Sequence, residues 1–116
     1  MSVTIRKYES IDVDDLSTYM PPHSENFSLD LTIHAGDPSS KGSDLFQALI
    51  CTPMWLAQNV KVDEVRFGRG LIIVRTFEWN KIKDAILEYI REKCVSEDWE
   101  SAARCLGRIV PWEFES

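Results

Sequence analysis

The hydrophobic pattern of this chain changes its period once, between residues 71 and 90. Four consecutive apolar residues, Leu71 to Val74, follow a glycine-rich turn, and three of them are β-branched. Such a run predicts a strand that is buried on both faces of a sheet. After Asn80 the period becomes helical, and the apolar stripe consists of Ile82, Ala85, Ile86, Tyr89 and Ile90. The pattern therefore predicts a central strand that leads into an amphipathic helix covering the sheet.

Further strand patterns precede this region. Residues 27–35 alternate strictly between apolar and polar side chains, which predicts a strand with one buried and one solvent-facing side. His34 falls on the polar side, so we expect a surface histidine instead of a ligand or a base. Residues 44–52 are apolar at both parities and predict an inner strand, which ends at Pro53 because proline cannot donate to the ladder. Residues 3–5 predict a short edge strand.

The segments between these strands carry turn signals. Residues 36–42 are dense in glycine, proline and serine and predict the connection of a hairpin. Residues 54–56 predict a short turn or helical segment that packs against the sheet. Residues 58–69 have no clear period and predict a loop, with a further strand at residues 62–67 as an alternative.

A second helical stripe follows the first. Ser96 is suited to be its N-cap, and Gly107 is suited to end it. The residues that share the core stripe are Trp99, Ala102, Ala103 and Leu106. Pro111 bars any continuation, and the alternation of aromatic and acidic residues at 112–115 predicts a terminal arm that docks both of its rings on the domain.

Together these patterns predict one α+β domain over residues 1–116. We expect an antiparallel sheet of four or more strands, covered on one face by two C-terminal helices that start near Asn80 and Ser96. A chain of 116 residues has the usual size of one compact domain. Its content of 44% apolar and 28% charged residues is typical of a soluble globular protein.

The sequence also bears on the location of the protein. Uninterrupted apolar runs reach only four residues, whereas a membrane helix needs about 20. Arg6 and Lys7 near the N-terminus are not followed by an apolar stretch, so we expect no signal peptide. We therefore expect the protein to act in the cytoplasm and to span no membrane.

Candidate chemistry is scarce. The cysteines Cys51, Cys94 and Cys105 show no C-x-x-C spacing, so we expect free thiols and no metal site. The glycines of residues 68–70 precede a strand instead of opening a helix, so they cannot cradle a phosphate as a nucleotide-binding loop does. No pattern places two carboxylates across a cleft for acid and base work. We expect no catalytic residues, no cofactor and no enzymatic activity.

The charge points to the kind of partner. A net charge of −6 and a pI near 4.8 argue against binding nucleic acid and favour a basic protein surface. Two groups of carboxylates are candidate contacts: Glu9, Asp12, Asp14 and Asp15 in the first loop, and Glu97, Asp98 and Glu100 at the head of the second helix. The first group is the better candidate, because it lies in a loop with few apolar neighbours. Acidic residues at a helix N-terminus already have a structural role.

Several short motifs carry a resemblance to a known family. The motifs are Glu25-Asn26-Phe27, Gly42-Ser43-Asp44-Leu45-Phe46, Cys51-Thr52-Pro53-Met54-Trp55-Leu56, Gly68-Arg69-Gly70, and Trp99 before Trp112-Glu113-Phe114-Glu115. In order and spacing they resemble immunity protein family 8 of bacterial polymorphic-toxin and contact-dependent growth inhibition systems.

The resemblance implies a small cytoplasmic α+β protein that binds the C-terminal toxin domain of a cognate effector and blocks it. Toxins of such systems are often nucleases, and a nuclease surface that holds phosphates is basic, which fits the acidic balance of this chain. The motif residues themselves are typical of a scaffold, so the resemblance does not locate the binding face. The alternative is a small acidic adaptor or assembly subunit without a toxin-neutralising role.

Overall fold

The computed structural model describes residues 3–115 and contains four strands and three helices. The strands are β1 (Thr4–Glu9), β2 (Ser28–Gly36), β3 (Asp44–Cys51) and β4 (Leu71–Ile73). The helices are α1 (Pro53–Asn59), α2 (Trp79–Lys93) and α3 (Trp99–Leu106). The order of elements confirms the predicted α+β class with two C-terminal helices.

The strands form one mixed sheet in the order β1-β2-β3-β4. β1 pairs with β2 and β2 with β3 in antiparallel fashion, and residues 36–42 connect the hairpin as predicted. β4, however, runs parallel to β3, so the sheet is not purely antiparallel. The physical reason is the crossover: α1 and the following loop carry the chain back before β4 begins, which a tight hairpin cannot do.

The core lies on one side of this sheet. Leu29, Leu31, Ile33 and Ala35 of β2 are all buried, which confirms the alternation in residues 27–35. On β3 their register partners include Ile50, Ala48 and Phe46. The helices close this face with Trp79, Ile82, Ile86 and Ile90 from α2 and with Ala102, Ala103 and Leu106 from α3. These side chains belong to one buried cluster.

The prediction of a central strand at residues 71–74 is wrong. β4 lies at the edge of the sheet and pairs only with β3. Ile73 is 55% exposed, so the β-branched run is not buried on both faces. β-branched residues suit any pleated surface that packs on one side, so the composition alone does not distinguish an inner strand from an edge. Residues 62–67 form loop, and the alternative strand there is also wrong.

Two details of the C-terminal region differ from expectation. The N-cap of α3 is Asp98 and not Ser96, so the helix begins at Trp99, because the carboxylate of Asp98 accepts the Ser101 N–H at 2.8 Å. Of the two rings of the terminal arm, Trp112 is buried and bridges to Phe46 of β3, and the arm is also held by the Glu113 N–H, which donates to the Leu45 carbonyl at 3.0 Å. Phe114 is 62% exposed, so the prediction that both rings dock is wrong.

Candidate functional site

The first acidic group begins at the end of β1. Glu9 Oε1 lies 2.6 Å from His34 Nε2 on the neighbouring strand, and its other oxygen lies 3.1 Å from the Lys7 ammonium. The hydrogen bond to His34, followed by that to Lys7, lowers the pKa of Glu9 below its ordinary value. His34 therefore holds a carboxylate on the open face of the sheet.

Two further carboxylates of this group are tied into the fold. Asp12 Oδ2 accepts the backbone N–H of Asp30 at 2.7 Å, just beyond the last paired residues of β1 and β2. Asp15 Oδ1 accepts both the N–H and the hydroxyl of Ser17, at 2.9 and 2.6 Å, and these bonds lower the pKa of Asp15. Asp14 is exposed, and none of the hydrogen bonds within residues 3–115 uses its side chain. The fold therefore uses this loop more than the sequence indicated.

A small cavity links the loop to the start of α2. It measures about 250 Å³ and is lined by Tyr8, Glu9, Asp14, Asp15, Trp79 and Lys83, among others. The Tyr8 hydroxyl is buried without a hydrogen-bond partner in the described chain, and burial raises the pKa of Tyr8 to about 12. The phenol therefore stays neutral, and the ionisable groups at the mouth of this cavity are its carboxylates and Lys83.

Sequence reasoning missed one carboxylate near the loop. Asp30 lies on β2, on the open face of the sheet, and burial raises its pKa, with a further contribution from the nearby Asp12. The sequence signal for Asp30 was its polar position in the alternating segment at residues 27–35, which places it on the solvent-facing side of the strand. Asp30 therefore adds negative charge to the same end of the sheet as the first loop.

The second acidic group serves α3 locally. Asp98 is the N-cap, Glu100 lies 3.0 Å from Arg104 one turn later, and Glu97 is exposed. The strand register separates the two groups. Asp44, which accepts from Trp99, pairs with Ala35 of β2, and Ala35 pairs with Ile5 of β1. The α3 group therefore lies at the end of the sheet where β1 begins, whereas the first loop follows the end of β1. The structure does not bring the two groups together.

The motif residues that carry the family resemblance meet inside the scaffold. Asp44 Oδ2 accepts the indole N–H groups of both Trp99 and Trp112, each at 2.9 Å. Thr52 caps α1 through its hydroxyl, which accepts the Trp55 N–H at 3.2 Å, and Pro53 occupies the first turn. These residues hold β3, α1, α3 and the C-terminal arm together, in agreement with the scaffold interpretation.

A different surface lies at the opposite edge of the sheet. A groove of about 510 Å³ runs between β4 and α2, and most of its lining is apolar. In the loop before β4, Val62, Val65 and Phe67 are exposed, Phe67 to 86%. Sequence reasoning missed this surface because it treated the run at 71–74 as a buried central strand.

Comparison with known proteins decides the family. The family model described as immunity protein 8 matches residues 3–116, which is nearly the whole chain. The chain belongs to the immunity protein 8 family. Neither a curated protein nor a solved structure matches it. As an immunity protein it has a toxin as its partner, and the question for the structure is which surface the toxin meets.

Two further observations bear on that surface. Within residues 3–115 no helix of the immunity protein is long and apolar enough to cross a membrane. In the same residues no group of three or more histidine, cysteine or carboxylate side chains is arranged to hold a metal ion. The candidate surfaces described above are the acidic first loop, the head of α3 and the apolar edge at β4.

Proposed function

We propose that this immunity protein binds the C-terminal toxin domain of a cognate contact-dependent inhibition or polymorphic-toxin effector in the cytoplasm. It neutralises the toxin by occlusion and carries out no chemistry of its own. The observation that carries the proposal is the family match over residues 3–116. The net charge of −6 supports a toxin with a basic surface, such as a nuclease domain that holds phosphates.

The acidic first loop is the proposed electrostatic contact. Glu9, Asp14 and Asp15 line the cavity at the end of β1, and Asp12 accepts the backbone N–H of Asp30, which adds a further carboxylate to this end of the sheet. Opposite charges across an interface raise the association rate more than they lower the dissociation rate. The head of α3, with Glu97, Asp98 and Glu100, is the weaker candidate, because Arg104 pairs with Glu100 there, whereas the ion pairs within residues 3–115 involve none of Asp12, Asp14 and Asp15.

The first experiment is a pull-down with the toxin domain encoded directly upstream of the immunity gene. A stable complex supports the proposal. If the pure proteins do not associate, the protein is not the immunity partner of that effector, and the alternative of a small acidic adaptor or assembly subunit takes its place.

The second experiment measures the association rate of the Asp12→Asn, Asp14→Asn, Asp15→Asn variant as a function of salt. The asparagine carbonyls can still accept the bonds that Asp12 and Asp15 make, so the loop should keep its shape. We expect slower association, because fewer charges attract the basic toxin surface. We expect a flatter salt dependence, because fewer charges remain for salt to screen at separations beyond about 10 Å at 0.1 M salt. Thermal stability should change little.

The matched control removes the same charge elsewhere. Asp84, Glu88 and Glu92 are exposed and lie one turn apart on α2. Their replacement by amides changes the net charge by the same amount without touching the first loop. If both triple variants slow association equally, only the net charge matters. If the first-loop variant keeps the wild-type rate and salt slope, that loop is not the contact.

A further inference from the structure

β4 leaves one edge of the sheet without a partner. The Gly70 carbonyl accepts the Leu49 N–H at 2.8 Å, and the Val74 N–H donates to the Cys51 carbonyl at 2.9 Å. Because backbone groups alternate in direction along a strand, the N–H and C=O of Ile73 point away from β3. Within residues 3–115 no strand pairs with this outer edge. The Leu71 N–H donates to the Gly68 carbonyl at 3.1 Å, so this three-residue edge offers the N–H and C=O of Ile73 to a further strand.

The groove behind this edge is apolar. Ile72 and Val74 form one wall, and Ala85, Tyr89 and Ile109 line the rest. Its volume of about 510 Å³ is large enough to receive several side chains.

The groove is also electrically neutral. The charged residues on its rim are Arg75, Glu78 and Lys81, and each has an ion-pair partner: Arg75 lies 3.0 Å from Glu25, and Lys81 lies 3.2 Å from Glu78. The complementary occupant is therefore apolar and uncharged, in contrast to the basic surface that suits the first loop.

Exposed apolar side chains also occur in the loop that precedes β4. Val62, Val65 and Phe67 are exposed, and Ile73 of β4 follows them closely in the chain. The loop is held by Glu64, which accepts the Lys61 N–H at 3.0 Å and the Arg66 guanidinium at 2.9 Å. Contiguous exposed apolar surface marks an interaction site, whereas single exposed apolar residues are normal. These four exposed apolar residues fall in the segment of the chain that leads into the free edge.

We infer that the β4 edge and its groove receive an extended, uncharged apolar segment of the cognate toxin, which adds to the sheet as a fifth strand. This inference rests on the proposed function, and it divides the interface into two parts. The acidic first loop follows β1 in the chain, and the groove lies beside β4, so the two lie at opposite edges of the sheet. Three strand spacings separate β1 from β4, which is roughly 14 Å. Charges at one edge speed the encounter, and apolar burial with strand pairing at the other slows dissociation.

Two variants test the edge and the groove separately. Ile73→Pro removes the outward N–H and also exchanges the exposed isoleucine side chain, and proline is tolerated at an edge strand whose N–H faces solvent. Ala85→Gln fills the groove with an uncharged side chain while keeping a good helix former. Ala57→Gln is the matched control, because Ala57 is an exposed alanine on α1 and does not line the groove.

The measurement is the association and dissociation rate of each variant with the purified toxin domain. We expect Ile73→Pro and Ala85→Gln to dissociate about tenfold faster with nearly unchanged association, since interface changes act mainly on dissociation. Ala57→Gln should behave as wild type. The first-loop triple variant should show the opposite division, with slower association and unchanged dissociation.

The outcomes separate the inference from the proposed function. If the wild-type protein does not bind the toxin domain, the proposed function fails. If it binds, and Ala85→Gln dissociates at the wild-type rate, the groove is not the contact and the inference fails alone; this variant decides even where Ile73→Pro does not fold. If the free protein forms a dimer that Ala85→Gln disrupts, the edge is occupied by a second copy, which also overturns the inference.

Discussion

Replacing Asp44 by alanine removes one acceptor that serves two indoles. Asp44 Oδ2 accepts from Trp99 and Trp112 at 2.9 Å each, and thereby joins β3 to α3 and to the C-terminal arm. A hydrogen bond to a charged group contributes about 1.5–3 kcal/mol, and the loss of its acceptor leaves a donor unpaired. Because both contacts are partly open to solvent, we take the lower end for each and expect a loss of about 3 kcal/mol in the free energy of unfolding.

That loss is large for a domain whose total stability is about 5–15 kcal/mol. Urea denaturation followed by tryptophan fluorescence should show a lower midpoint with an unchanged slope, and the melting temperature should fall by roughly 10–15 °C. Asp44→Asn keeps an uncharged acceptor and should lose about half as much. Asp84→Ala, on the exposed face of α2, is the control and should stay within about 0.5 kcal/mol of wild type. An equally small change for Asp44→Ala would show that Asp44 does not stabilise the contact of β3 with α3 and the C-terminal arm.

Three further predictions concern single side chains. Thr52→Val should lower the free energy of unfolding by about 1–3 kcal/mol, measured in urea, because the buried hydroxyl accepts from Trp55 and from Phe27. Asp30→Asn should stabilise the protein at pH 7 but not at pH 3: folding raises the pKa of Asp30 above 3.8, so its ionisation opposes folding only above that pH. A gain that persists at pH 3 would contradict this. Phe114→Ser should cost less than about 1 kcal/mol, since that ring is 62% exposed; a larger loss of thermal stability would show that it docks.

The sequence predicted the elements whose signal is local. Alternation in residues 27–35 placed Leu31 and Ile33 in the core correctly, because the period of two directly reports which side of a strand is covered. The stripe of α2 placed Ile82, Ile86 and Ile90 in the core for the same reason. Pro53 ended β3 as expected and then opened α1, since proline fits the first turn of a helix.

The errors concern relations between distant segments. The run at 71–74 has the same composition whether β4 is flanked by one strand or two, and only the crossover through α1 decides. The N-cap error is a local exception: Ser96 and Asp98 are both good caps, and Asp98 is the one whose carboxylate accepts the Ser101 N–H. The structural role of Asp12 depends on the Asp30 backbone, and no local pattern links the two.

The candidate surfaces also differ in whether their sequence signal is local. Charge could be counted from the sequence, so the acidic first loop was identified, although its bonds to His34, Asp30 and Ser17 were not. The apolar groove exists only because α2 packs beside an unpaired β4, and that arrangement depends on the position of the strand in the sheet. Its role in toxin binding remains our inference.

The most direct test of the account is growth rescue by the immunity protein. Bacteria that express the C-terminal toxin domain encoded upstream of this gene should stop growing, and co-expression of the wild-type chain should restore growth. A variant that combines the three first-loop substitutions with Ala85→Gln should accumulate to the same level and rescue poorly, while Ala57→Gln should rescue fully. Arrested growth in the presence of folded wild-type protein would contradict the account.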